Sequence, residues 1–250
     1  MILRQFTHRD PVVALSYLFG CAGQGVGAVV DPVSEPEFYR AEAAREGLEI
    51  RFVIDTHVHA DHLSTGRALA DATGAEYVLG PGAGAELDFR EAHDWDALEL
   101  GNVLVHLWLV PGHTPEHLAL VVTDRSRARE PWMVFTGHSL MIGDMGRTEL
   151  AGDGRAGAEK LFETACRLRQ LNDHVLVLPG AFSGSVCGRG LSGVQFSTIG
   201  FERWHNKAFS ITEADEFLEL MLRDVPPRPE NAAAIRAANL GLREVSATAR

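Results

Sequence analysis

Short hydrophobic runs separated by turn-forming residues dominate the first half of the chain. Apolar runs of this length bounded by Gly, Pro or Asp are typical of buried strands. Polar stretches rich in Ala, Glu and Arg predict surface helices, and Ser34 and Ser64 are the predicted N-caps of the first two. Strands are predicted at residues 12–19, 27–30, 50–54, 77–79, 103–110, 118–122 and 133–135, and helices at residues 35–46, 64–73, 157–171, 212–222 and 231–240.

The order of these elements favours a layered sheet core with outer helices. Strands dominate the first 135 residues, and helices flank and follow them without the regular alternation that a doubly wound parallel sheet requires. At 250 residues the chain is long enough for a sizeable core, and we find no internal repeat or low-complexity segment. We therefore expect a single domain over residues 1–250, with a helical C-terminal part from about residue 205.

Composition and charge exclude several classes of protein. Hydrophobic residues make up 46% and charged residues 23% of the chain, which is typical of a globular protein. The net charge of −11 repels phosphate backbones and anionic lipid surfaces, so nucleic acid and membrane partners are not expected. The three cysteines form no C-x-x-C pair, and the N-terminus lacks the basic start and apolar core of a signal peptide. Both observations predict a cytoplasmic protein.

The strongest chemical signal is the segment T-H-V-H-A-D-H, which contains the potential metal ligands His57, His59, Asp61 and His62. The segment follows the strand predicted at residues 50–54. Two imidazoles at positions i and i+2 of an extended segment project to the same side, and the following Asp-His can turn back toward the same point. Because binding sites are usually built on loops at strand ends, this segment predicts a metal site.

Two further histidines follow strands in the same way. His113 comes after the strand at 103–110 in the segment P-G-H-T, and His138 comes after the strand at 133–135 in F-T-G-H-S-L. A single histidine after a strand is more often structural than a ligand. Because three strand ends each deliver an imidazole, a shared metal site is the favoured interpretation.

These motifs, in this order and at these separations, resemble the metallo-β-lactamase superfamily. The resemblance implies an α/β fold of the αββα type, with two mixed sheets packed together, helices outside, and the metal loops at one edge. The segment G-D-M-G-R-T-E-L, at residues 143–150, is similar to persulfide dioxygenases, and glyoxalase II thioesterases are similar in the same region. The segment S-T-I-G-F-E-R, at residues 197–203, also resembles persulfide dioxygenases, so the resemblance covers roughly residues 10–240.

Two positions depart from superfamily members that bind two metals. Those members have an Asp after T-G whose carboxylate bridges the metals, whereas this chain has His138, whose neutral imidazole offers one lone pair. They also have a His after a late P-G, whereas here the residue after that P-G is Ala181. Both changes predict one metal per chain.

The resemblance to persulfide dioxygenases implies a ligand set. Those enzymes bind Fe(II) through the first His of H-x-H, the His of P-G-H and the Asp of T-G-D, and the matching positions are His57, His113 and His138. Three imidazoles leave positions open for substrate and O₂, as the usual two-His-one-carboxylate triad does. The same neutral set can instead hold Zn²⁺ and a water of lowered pKa, which is the chemistry of hydrolysis. Fe(II) is therefore the expected cofactor, and Zn²⁺ is the alternative.

Three side chains of the cluster remain outside that set, and the sequence leaves their roles open. His59 can complete a Zn-type set with His57 and His113, which leaves His138 spare. Asp61 is suited to orient a ligand imidazole or to accept a proton, and the orienting role is favoured because a ligating His normally donates its other N–H. His62 is a further candidate, either as an additional metal ligand or as a residue that supports the ligands.

Two residues are candidates for binding the substrate. Arg147, in the G-R-T segment, can hold an anionic group by a bidentate fork, and a structural salt bridge is the competing interpretation. Cys187 lies in a loop of small residues beyond Ala181, where its thiol can face the metal and Arg189 can lower its pKa. The favoured interpretation of Cys187 is a buried, unreactive thiol. His117 is assigned a supporting or structural role.

The leading functional hypothesis is an iron-dependent dioxygenase that oxidises the outer sulfur of a low-molecular-weight persulfide to sulfite. The alternative is a Zn-dependent hydrolase of the glyoxalase II kind, in which metal-bound hydroxide attacks a thioester. A third hypothesis is a degenerate site kept for metal or ligand binding. The expected partner is a small thiol-derived molecule, and a homodimer is compatible with all three hypotheses.

Overall fold

Two six-stranded sheets form the centre of the protein in the computed structural model, which describes residues 1–223, 225 and 227–242. The first sheet contains, in chain order and in spatial order, β1 (Ile2–His8), β2 (Ala14–Cys21), β3 (Val26–Val30), β4 (Glu49–Ile54), β5 (Glu76–Leu79) and β6 (Arg90–Glu91). After it come β7 (Ala97–Leu100), β8 (Val103–Leu109), β9 (Leu118–Asp124), β10 (Met133–Gly137), a hairpin of β11 (Leu140–Met141) and β12 (Asp144–Met145), β13 (Leu176–Pro179) and β14 (Ser197–Thr198). The second sheet has the spatial order β14-β13-β10-β9-β8-β7.

Helices cover the outer faces of both sheets. Helices α1 (Pro36–Arg45) and α2 (Gly66–Thr73) pack on the first sheet, and α3 (Gly154–Leu168), α4 (Ile199–His205) and α5 (Ala214–Leu222) pack on the second. The last helix described, α6 (Ala232–Asn239), returns to the first sheet, where Leu240 packs against the α1 and α2 side. No helix among the described residues is long and apolar enough to cross a membrane.

The inner faces of the two sheets pack against each other. Tyr17 and Phe19 lie two residues apart on β2 and therefore point to the same face, where both rings contact Phe135 of the second sheet at centroid distances of 4.9 and 4.8 Å. Leu18, between them, points to the helical side. A strand that is buried on both faces needs a sheet on one side and helices on the other, so the predicted αββα sandwich is confirmed.

The structure contains each predicted strand and helix, with ends shifted by a few residues, and adds elements that the hydrophobic pattern did not predict. The longest added strand is β1, an edge strand whose polar residues hide its alternation. The predicted caps are wrong in detail, because α1 begins after Glu35 and α2 after Thr65, neither of which caps its helix with a side chain. The hydroxyl of Ser64 does accept the N–H of Gly66.

One edge of the sandwich collects the ends of several strands. Strand β4 runs into residues 55–65, β8 runs into residues 110–117, and β10 ends directly before His138. The parallel pair β10 and β13 brings the end of β13 to the same place, where the N–H of Gly180 donates to the carbonyl of Gly137 at 2.7 Å. The segments with the candidate metal ligands therefore meet at this edge.

Candidate metal centre

Three buried histidines from three different strand ends converge at this edge. The imidazole centroids of His57 and His113 are 4.9 Å apart, those of His57 and His138 are 4.7 Å apart, and those of His113 and His138 are 5.1 Å apart. One nitrogen from each ring lies within 4.8 Å of a nitrogen of the other two. Since none of the three is more than 2% exposed, the rings form one enclosed cluster.

The orientation of the rings fits a metal ion. His113 donates Nδ1–H to the carbonyl of Arg147 at 2.6 Å, which leaves a lone pair on Nε2. That Nε2 is 3.3 Å from Nδ1 of His138, and two nitrogens bound to one ion at about 2.1 Å lie roughly 3.0 to 3.4 Å apart. Among the described residues, Nε2 of His57 is buried without a protein partner, and Nδ1 of His138 and Nε2 of His113 face each other. Unpartnered buried nitrogens are what a metal site leaves when only the protein is considered.

Burial keeps these imidazoles neutral, which is the form that binds metals. Removal from water lowers the pKa of His113 to about 3 and that of His138 to about 4. The pKa of His57 also lies well below its usual range, because the ring is buried and because four neighbouring imidazoles disfavour a positive charge.

Two glycines allow the backbone to approach the rings closely. Gly137 has a φ of +49°, and a Cβ there would lie 2.4 Å from Oγ1 of Thr56 and 2.6 Å from Cε1 of His117. A Cβ on Gly146 would lie 2.3 Å from the carbonyl oxygen of His138. Both glycines belong to segments that resemble the metallo-β-lactamase superfamily. Any larger residue at these positions would collide with neighbouring atoms.

A second group, formed by His59, Asp61 and His62, lies beside the first. Oδ1 of Asp61 is 3.0 Å from Nδ1 of His62 and 3.6 Å from Nδ1 of His59, and Nε2 of His59 is 3.3 Å from Asp31. Burial opposes a charge on His59, but its hydrogen bonds to Asp31 and Asp61 outweigh burial and raise its pKa well above the usual range. Among the described residues, the donor atoms of His57, His113 and His138 lie within 4.8 Å of one another, so their proximity favours His138 over His59 as the partner of His57 and His113.

Arg147 lies close to the centre, but its guanidinium is bonded to protein groups. Its side chain is 4% exposed, forms an ion pair with Glu149 and donates to the carbonyl of Val186 at 3.3 Å. The competing interpretation, a structural salt bridge, therefore describes this side chain, and the main-chain carbonyl of the same residue holds His113.

Cys187 lies against the metal cluster as a buried thiol. Its sulfur is within 4.8 Å of donor atoms of Asp61 and His138. Burial and the neighbouring carboxylate of Asp61 raise the pKa of the thiol well above its usual range. The expectation that Arg189 lowers this pKa is wrong, because that guanidinium forms an ion pair with Asp144 at 3.1 Å.

Two buried carboxylates that support the loop at residues 55–65 were missed by the sequence analysis. Asp31 accepts the main-chain N–H of Thr56 at 2.7 Å, and Glu116 accepts the N–H of Val58 at 2.9 Å. In the sequence, Asp31 stands out only as the polar residue that ends the apolar run at residues 27–30. The sequence feature that points to its role is an acidic residue directly after an apolar strand. A carboxylate that is buried in such a place needs a hydrogen-bond or charged partner.

A cleft of about 400 Å³ opens next to His113. Its lining is mostly apolar, and Lys160 contributes a positive charge. The cleft lies between the P-G-H-T loop and the first turn of α3, and it is lined by Pro111, Gly112, His113, Pro115, Thr148 and Lys160, among others. A cleft in this position is suited to bind the nonreacting part of a small ligand whose reactive end reaches the histidines.

Comparisons with known proteins agree with the resemblance. A family model described as "Metallo-beta-lactamase superfamily" matches residues 9–180. The chain is 28% identical to "Persulfide dioxygenase ETHE1, mitochondrial" of Bos taurus over 222 residues, which cover 86% of this chain and 78% of that protein. It is 32% identical to a hydroxyacylglutathione hydrolase of Polaromonas sp. over 169 residues, 66% of this chain and 60% of that protein. The crystal structure of ETHE1 from Myxococcus xanthus superposes with a TM-score of 0.81 at 28% identity, covering 97% of this chain and 100% of that chain.

Proposed function

The chain belongs to the metallo-β-lactamase superfamily of enzymes, and from that membership we propose that it is a persulfide dioxygenase that holds one Fe(II) through His57, His113 and His138. The observation that carries the proposal is the convergence of three buried imidazoles whose nitrogens lie within 4.8 Å of one another, with Nε2 of His57 left without a protein partner. Similarity over most of the chain to proteins named persulfide dioxygenase supports it.

The proposed reaction converts a persulfide RSSH, O₂ and water into the thiol RSH, sulfite and two protons. Four electrons pass from the outer sulfur to O₂, and the sulfur–sulfur bond breaks. When bound, Fe(II) supplies neighbouring open positions for sulfur and O₂ together with the redox chemistry that O₂ requires. Because the three-histidine set carries no negative charge, an anionic sulfur ligand would balance the metal charge that a carboxylate balances in the usual triad.

Asp61 is proposed to orient the neighbouring imidazoles beside the metal. Burial opposes its negative charge, but the neighbouring imidazoles of His62 and His59 hold the pKa of Asp61 well below its usual range. A carboxylate whose pKa is lowered in this way is a weak base, so it suits the orientation of an imidazole better than proton uptake.

The cleft beside His113 is the proposed site for the carbon part of the substrate. Its mostly apolar lining would contact the carrier, and Lys160, which pairs with Glu163, lies at its edge. Arg147 contributes to this site by fixing the ring of His113, and the thiol of Cys187 forms part of the wall that faces the sulfur. The partner proposed here is therefore a small thiol-derived molecule.

A Zn-dependent thioesterase of the glyoxalase II kind is the second candidate function. The similarity to hydroxyacylglutathione hydrolases supports it, and so does the chemistry of the ligand set, since three neutral imidazoles also suit Zn²⁺. Both candidates place a sulfur compound at the same metal.

The decisive experiment combines metal analysis with two assays. Protein purified without added metal is analysed by mass spectrometry and then tested for O₂ uptake and sulfite formation on glutathione persulfide, and for hydrolysis of a glutathione thioester. Bound iron with equal amounts of O₂ consumed and sulfite formed supports the dioxygenase. Bound zinc with thioester hydrolysis and no O₂ uptake supports the alternative, and absence of both activities in metal-loaded protein leaves the degenerate site.

We also propose that the protein works in a reducing compartment, the cytoplasm. The three cysteines Cys21, Cys166 and Cys187 are all free in the structure. Free thiols, one of them exposed, persist where glutathione keeps cysteines reduced.

A further inference from the structure

The loop that carries four of the candidate ligands contains no regular secondary structure. Residues 55–65 run between β4 and α2 without strand or helix hydrogen bonds of their own. Buried main-chain groups in such a segment need partners elsewhere. In this protein several of those partners are side chains of α6, far along the chain.

Asn239, the last residue of α6, holds three main-chain groups of the loop. Its Nδ2 donates to the carbonyl of His59 at 2.9 Å and to the carbonyl of His62 at 2.8 Å. Its Oδ1 accepts the N–H of Ser64 at 3.0 Å. One amide therefore spans both ends of the H-A-D-H segment.

Arg236 holds the residue between the first two histidines of the loop. Its Nη1 donates to the carbonyl of Val58 at 2.9 Å and to Oε1 of Glu116 at 3.0 Å, and its Nη2 donates to Oε2 of Glu116 at 3.2 Å. The same carboxylate accepts the N–H of Val58 at 2.9 Å. Both main-chain polar groups of Val58 are thus fixed by one ion pair, in which Glu116 is buried and Arg236 is partly buried.

These two side chains act from the same face of one helix, because residues three apart on a helix are neighbours. We propose that Arg236 and Asn239 are positioning residues for the metal centre, which set the backbone of the loop so that His57 meets His113 and His138. The proposal rests on the metal site of the proposed function but not on the reaction performed there. Ligand distances in metal sites tolerate only about 0.2 Å, so a small shift of this backbone weakens binding.

The test measures metal affinity in variants of the full chain. The dissociation constant for Co²⁺ is determined by chelator competition in the wild type and in Arg236→Ala, Arg236→Lys and Asn239→Ala, and the visible spectrum of bound Co²⁺ reports the ligand geometry. We expect affinity to fall by about 10- to 100-fold in Arg236→Ala and Asn239→Ala, as for other groups that support metal ligands, with an altered Co²⁺ spectrum. Arg236→Lys keeps the charge opposite Glu116 but loses the second N–H donor, so we expect partial rescue.

Arg203→Ala is the matched control for a loss of stability that does not involve the metal site. Arg203 also forms an ion pair, with Asp173, and also donates to two carbonyls, those of Arg169 at 2.8 Å and Leu171 at 2.9 Å, but it lies on α4 outside the metal loops. We expect this variant to lose stability and keep the wild-type affinity for Co²⁺.

Equal Co²⁺ affinity in Asn239→Ala, Arg203→Ala and the wild type would overturn the proposal. Asn239→Ala leaves no buried charge unpaired, so it decides the question if Arg236→Ala does not fold. Because the readout is metal affinity, a wild type that binds Co²⁺ but shows no O₂ uptake in its iron form would refute the proposed reaction and leave this inference standing.

Discussion

Thr56 sets the tautomer of the neighbouring imidazole of His57. The hydroxyl oxygen of Thr56 lies 2.9 Å from Oδ2 of Asp31 and 2.9 Å from Nδ1 of His57. Since a carboxylate only accepts hydrogen bonds, the hydroxyl proton goes to Asp31, and the oxygen then accepts Nδ1–H of His57. The lone pair of that imidazole is left on Nε2, the buried nitrogen that has no protein partner.

Thr56→Val is therefore expected to weaken metal binding by about 10-fold, because the ring loses the acceptor that fixes its tautomer. Chelator competition with Co²⁺ measures the effect. Thr56→Ser keeps the hydroxyl and serves as the control, with affinity close to that of the wild type. If Thr56→Val bound Co²⁺ as tightly as Thr56→Ser, this account of the tautomer would be wrong.

The ligand set predicts how many metals each chain holds. We expect one metal per chain by mass spectrometry, and we expect His57→Ala and His113→Ala each to abolish metal binding. The exposed histidines His93 and His174 provide matched controls, whose replacement by Ala leaves the metal in place. Two metals per chain at full occupancy would contradict the prediction.

His138 is one of the two positions at which this chain departs from the pattern that the resemblance implies, and two replacements test it. Aspartate restores the carboxylate of the usual facial triad, so His138→Asp is expected to retain or tighten iron and keep O₂-dependent turnover. His138→Ala is expected to lose metal or activity by about 10-fold or more. If His138→Ala left metal content and turnover unchanged, the preferred metal ligands would be His57, His59 and His113. The hydrolase hypothesis would then be favoured.

Acid is expected to destabilise the metal-free protein. The folded-state pKa values of about 3 for His113 and about 4 for His138 lie below the usual 6.5, so below pH 6.5 the unfolded chain binds protons that the folded protein does not. The free energy of unfolding then falls as the pH falls from 6.5 toward 4, by up to about 1.4 kcal/mol per pH unit for each ring. The raised pKa of His59 has the opposite effect. The stability that this residue contributes is present below about pH 6.5 and is lost as the pH rises above that value.

Urea unfolding of metal-free protein between about pH 7 and pH 5 measures this dependence. His138→Asn removes one of the titrating rings, and we expect a shallower loss of stability in that variant. An equal slope in the two proteins would show that His138 is not kept neutral by the fold.

Thiol chemistry distinguishes the three cysteines. Cys166 is exposed, whereas Cys21 and Cys187 are buried. We expect one thiol per chain to react rapidly with iodoacetamide in the folded protein and this fast reaction to disappear in Cys166→Ser. Arg189→Ala breaks the ion pair with Asp144 that anchors the loop around Cys187, so a second thiol should become reactive in that variant. Continued protection of Cys187 in Arg189→Ala would show that other contacts hold the loop.

Local apolar runs predicted the layered sheet core with outer helices, because they depend on patterns within a few residues, and the resemblance added the αββα arrangement. The apolar runs of β2, β3 and β4 and the histidines that follow strands are visible without any structure. The supporting residues carry no such signal. Asn239 reaches His59 and His62 across separations of 180 and 177 positions, and only the assembled fold brings them together.

The protonation of His59 shows a second limit of the sequence. Its position in H-x-H made it a candidate ligand, and the charge that two carboxylates impose on it depends on Asp31, 28 positions earlier. The same holds for Arg147, whose ion pair with Glu149 was one of two open interpretations until the burial of its side chain was known.

The bond between Asn239 and the histidine loop has a consequence for how the protein matures on the ribosome. Translation proceeds from the N-terminus, so the carbonyls of His59 and His62 leave the exit tunnel long before the amide that fixes them, 180 and 177 positions later, has been made. The nascent chain passes through a stage in which the loop at residues 55–65 has emerged and is not yet held by α6. Under the proposed function, metal loading that depends on this loop is completed only when α6 docks.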